Sequence, residues 1–95
     1  MDSTGLESRR QAVRQLVLRL LAPHARQLQP VELIWMSNTT SHEQQLCVHV
    51  QNNSEPRLTI SFSRSQLDSA VSPHDLEAYR SLQDYIGQNL RPLIG

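Results

Sequence analysis

The stretch VELIWMSNTTSHEQQLCVHVQNNSEPRLTISF, residues 31–62, decides the fold, because hydropathy within it repeats every two residues. Val31, Leu33 and Trp35 alternate with Glu32, Ile34 and Met36. After the polar SNTTSHEQ, Leu46, Val48 and Val50 alternate with Cys47 and His49. The turn-forming NNSEP then leads into Leu58, Ile60 and Phe62, which alternate with Arg57, Thr59 and Ser61. A period of two sends successive side chains to opposite faces, so these runs predict three strands with one strongly apolar face. Short polar connections predict an antiparallel meander.

On either side of this stretch the period becomes helical. Leu6, Val13, Leu16, Val17 and Leu20 recur as one stripe, with Thr4 and Glu7 spaced as a capping box and Pro23 as the stop. Residues 23–29 fit either a short second helix or a linker, since proline is welcome in a first helical turn. After the strands, Ser63 with Gln66 predicts a short helix to about Val71. Ser72-Pro73 with Asp75 predicts the start of a last helix, whose stripe is Leu76, Tyr79, Leu82, Ile86 and Leu90. Gly87 weakens its interior and Arg91-Pro92 ends it. The expectation is one α+β domain over residues 1–95, ordered α-β-β-β-α-α in two layers. A chain of this length buries roughly 65% of the surface it exposes when unfolded, enough for one core.

Composition narrows the function. The nine basic residues are all arginine, the nine acids balance them, and zero net charge argues against a polyanion as partner. A single cysteine builds no disulfide framework, which points to a reducing compartment and a cytoplasmic location. The opening MDSTGLESRR lacks the order of a signal peptide, and the apolar runs at residues 20–23 and 33–36 fall far short of the ~20 residues of a membrane span. The sequons at Asn38 and Asn52 are read as polar turns.

Only one segment suggests chemistry. Cys47 and His49 share a strand face, and His42 lies in the preceding loop, so all three are conceivable ligands for one ion. Zinc sites usually assemble three or four ligands from pairs such as CxxC or HExxH, and neither spacing occurs; the expectation is no metal and no cofactor. A nucleophilic thiolate needs a cationic neighbour or a helix start, which a mid-strand Cys47 is not assured. Gly5, Gly87 and Gly95 are the only glycines, and none lies between a strand and a helix, so phosphate loops and nucleophile elbows are missing. Asp75 and Glu77 suit the positive end of a helix. The chain reads as a non-enzyme.

Two binding readings remain. Residues 1–29 carry Arg9, Arg10, Arg14, Arg19 and Arg26 against Asp2 and Glu7, a local charge of +3, which makes a nucleic-acid-associated regulator the alternative. Helix, three strands, helix is also the order of double-stranded RNA-binding domains, which contact phosphates from the start of their last helix. Here that position reads SPHDLEAYR, acidic and without lysine, and element order alone is an analogy. The leading reading is a small protein-interaction or regulatory domain that binds another protein or a copy of itself. Its candidate surface is the second sheet face, with Ile34, Met36, Cys47, His49 and Arg57, whose mixture of apolar, Met and Arg side chains suits a partner patch. In a competing arrangement the first helix crosses to that side and covers it.

Overall fold

The computed structural model describes residues 2–37 and 44–94. In chain order it shows helix α1 (Asp2–Leu21), a 3-10 turn (Ala22–His24), helix α2 (Ala25–Leu28), strands β1 (Val31–Ser37), β2 (Gln44–Val50) and β3 (Leu58–Phe62), then helices α3 (Arg64–Ala70) and α4 (Leu76–Ile94). The strands form an antiparallel sheet in the order β1-β2-β3, so β2 is central and every strand pairs with its neighbour in sequence. The fold is the α+β meander that the sequence predicts.

Register explains the core. Leu33 stands opposite Val48, Trp35 opposite Leu46, and Leu46 opposite Ile60, which places the apolar set of all three strands on one face. That face is buried together with Val13, Leu16 and Val17 of α1, Leu67 of α3, and Leu82, Ile86 and Leu90 of α4 in a single cluster. The helices make one layer, with α1 packed against α3 and α4, and the sheet makes the other. Trp35, Phe62 and Tyr85 run through the seam as a chain of tilted and edge-on rings, at centroid separations of 5.8 and 5.9 Å. The Tyr85 hydroxyl donates to the Ser61 carbonyl, tying α4 to the outer edge of β3.

Helix ends depart from expectation in several places. Helix α1 begins at Asp2, so the Thr4–Glu7 pair lies inside it and does not mark its start. Residues 23–29 are mostly helical: Pro23 sits in the first turn of the 3-10 segment, where its missing N–H costs nothing, and α2 follows and buries Leu28. Ser63 and Gln66 form both halves of a capping box, as expected. Helix α4 starts at Leu76 with Asp75 as its cap, the carboxylate accepting from the Ala78 N–H at 3.3 Å, while Ser72-Pro73 stays in the preceding turn. Leu76 is therefore not part of the stripe. It is 71% exposed, because a side chain in the first turn leans toward the helix start and overhangs the end of the core. Pro92 does not stop the helix, which continues to Ile94.

The β2–β3 connection, residues 51–57, opens with a tight turn. Gln51 and Asn52 hold φ at 57° and 62°, and the Asn53 N–H donates to the Val50 carbonyl at 3.1 Å, the signature of a type I′ turn. Gln51 also anchors the segment before β1, with its N–H on the Pro30 carbonyl at 2.9 Å and its side-chain amide on the Gln27 carbonyl at 2.8 Å.

Candidate protein-binding face

The second face of the sheet is built from three cross-strand rows. Glu32 stands opposite His49; Ile34 lies beside Cys47 and then Thr59; Met36 lies beside Gln45 and then Ser61. A strand presents alternate residues to alternate faces, so the pattern that buries Leu33 and Trp35 sends Ile34 and Met36 the other way. Ile34 is 42% exposed and Met36 54% exposed, so no described helix covers this side. Two bulky apolar side chains on one seven-residue strand thus meet solvent next to each other.

Cys47 sits below them. On the central strand it is only 4% exposed, its thiol 3.4 Å from the Met36 sulfur and 3.8 Å from the Thr59 hydroxyl, which donates to it. It behaves as a small packed hydrophobe between two edge strands. His49 is partly exposed at one end of the face, with its Nδ1 3.3 Å from the Asn53 carbonyl oxygen. His42 lies outside the described residues. Among the described residues, no three His, Cys, Asp or Glu side chains come together as a metal ion would require.

Arg57 differs from its expected place. It lies exposed one residue before β3 and contributes its backbone N–H to the Val48 carbonyl at 2.7 Å. Glu32 and Gln45 join the face instead. Strict alternation from Ile34 and Cys47 was the signal for both.

The five arginines of the first 29 residues take separate roles. Arg9 pairs with Asp68 of α3 at 2.6 Å, and Arg10 lies over the Trp35 ring, 5.7 Å from its centroid, while donating to the Gln44 side chain. Two of the five thus join α1 to the rest of the fold. Arg14, Arg19 and Arg26 are exposed. No described helix is long and apolar enough to cross a membrane. Comparisons with protein-family models, with curated proteins and with solved structures find no match for the chain.

Proposed function

We propose that this chain is a non-catalytic protein-interaction domain that engages a polypeptide partner with the uncovered face of its sheet. The observation that carries the reading is the exposure of Ile34 and Met36, side by side on β1, inside a rim of Glu32, Gln45, His49 and Thr59. An apolar centre with a polar surround is the composition of a patch that loses water on binding, and methionine adapts to irregular partner surfaces. The buried Cys47 gives the patch a packed floor. The alternative, contact with nucleic acid through Arg14, Arg19 and Arg26, draws on fewer arginines than the sequence offers, since Arg9 and Arg10 already serve the fold.

The test is the double substitution Ile34→Glu with Met36→Glu. Both side chains already meet solvent, so the variant keeps a dispersed NMR spectrum, while two unpaired carboxylates in the contact weaken partner capture by at least about 30-fold. A folded variant that captures its partner as well as the wild type overturns the reading. A salt titration separates the alternative: an apolar contact responds little, whereas phosphate contacts weaken steeply with salt.

A further inference from the structure

The two outer edges of the sheet are treated differently. In an antiparallel ladder, successive residues point their amide groups alternately toward and away from the neighbouring strand. The Gln51 N–H bonds the Pro30 carbonyl, one step beyond the Val31–Val50 pair, so Pro30 and the even-numbered residues of β1 point inward to β2. Val31, Leu33, Trp35 and Ser37 therefore point theirs outward. Continuing the same alternation through β2 turns the amides of Thr59 and Ser61 outward on β3.

On β3 that edge is guarded. The strand is five residues long, its outward residues are polar, and the Tyr85 hydroxyl occupies the Ser61 carbonyl. On β1 it is open. The strand is seven residues long, with no proline and no basic residue within it, and among the described residues no other group bonds the outward amides of Val31, Leu33 or Trp35. Soluble proteins usually blunt such an edge with charge, proline or a covering element.

We infer that β1 pairs with β1 of a second copy of this chain, antiparallel about a two-fold axis at Ile34, to give a continuous six-stranded sheet. This goes beyond the reading above: the contact is the edge of β1, and the sheet face that carries Ile34 and Met36 stays uncovered in the pair. Only a register that opposes odd residues to odd residues joins the outward amides, and the one centred on Ile34 uses all seven. It sets Leu33 opposite the partner's Trp35 and Val31 opposite the partner's Ser37. Charge fits as well: Glu32, the sole ionisable residue of β1, faces the partner's Met36 and not a second carboxylate. With zero net charge on each copy, no overall repulsion opposes the approach. The Ile34 and Met36 side chains of the two copies then form one apolar strip at the middle of the joined sheet, in the self-complementary arrangement that a two-fold demands.

Sedimentation and amide exchange of the wild-type chain over a concentration series test this. The expected result is a monomer–dimer equilibrium in which Leu33 and Trp35 amides, fast in the monomer, slow by at least about tenfold in the dimer, while Ile34 and Met36 are protected in both. In a Cys47→Ala background, Ile34→Cys should cross-link under mild oxidation, because facing residues of a pair without mutual hydrogen bonds stand about 4.5 Å apart at Cα, within disulfide reach. A chain that stays monomeric at several hundred micromolar overturns the inference. So does a dimer in which Leu33 and Trp35 still exchange fast. Should the cysteine variant fail to fold, the wild-type exchange pattern decides alone. A monomer whose capture of a different protein is lost on Ile34→Glu with Met36→Glu refutes the self-pairing and leaves the proposed function standing.

Discussion

Asn52 holds a left-handed backbone, φ 62°, beside Gln51 at 57°. Asparagine tolerates that region and a β-branched side chain does not, since its Cβ substituents collide with the backbone there. Asn52 is exposed, so Asn52→Val isolates the backbone effect and should lower stability by about 1–2 kcal/mol in chemical denaturation. Asn52→Gly should change it by less than about 0.5 kcal/mol, because glycine adopts the same conformation freely but also frees the unfolded chain. A Val variant as stable as wild type would mean that the reversal is not of type I′. The Asn-Asn pair advertised a turn in the sequence. Its type was hidden, because Gln51 is a poor residue for positive φ and sits there through bonds to Pro30 and Gln27, which lie in a segment without a clear pattern.

At the scale of the elements, α4 offers two opposed tests. Leu82 and Ile86 are buried in the joint core, and truncating Leu82 to alanine should cost about 2–5 kcal/mol, read from the denaturation midpoint. A loss below about 0.5 kcal/mol would put the helix in a different rotation. Gly87, one residue on, has open space where a Cβ would stand, so Gly87→Ala should raise stability by about 0.5–1 kcal/mol through the helix preference of alanine alone. The stripe of α4 was legible because 3.6-residue spacing is a property of the element. Its ends were not. Ser72, Asp75 and Thr4 all have capping chemistry, but a cap also needs an extended backbone at the right residue, and packing decides which candidate receives it. Pro92 shows the same limit: so near the end of α4, the bond it removes is one of the last, and the turn continues past it.

In the molecule as a whole, the residues of both sheet faces were readable, but whether a helix covers the second face was not. Leu33 and Ile34 are equally apolar, as are Trp35 and Met36 in sequence terms, so β1 by itself does not say which set the helices take. The choice follows from β2 and β3, whose apolar residues lie on the Leu33 side while Thr59, Ser61 and His49 lie opposite. The helical layer is itself fastened by Arg9 and Asp68, an ion pair between α1 and α3 whose side chains are 35% and 49% exposed. Exposure of that order limits it, so Asp68→Asn should lower stability by about 0.5 kcal/mol, with the difference shrinking as salt is added. A loss of several kcal/mol would show that the pair is shielded from solvent in solution.

That helical layer has a consequence for the order in which the molecule is made. Helix α1 precedes the sheet and packs against α3 and α4, which both follow it. As the chain leaves the ribosome, α1 and then the three strands appear before α3 and α4, which complete the layer over the sheet. The meander forms from contacts between neighbours in sequence and forms quickly, yet its apolar side waits for Leu82, Ile86 and Leu90. Until α4 emerges, the nascent chain presents an incompletely covered apolar core and two bare strand edges, since Tyr85, which caps the Ser61 carbonyl on β3, belongs to α4. This is the combination that holdase chaperones recognise and that crowded nascent chains join by mistake.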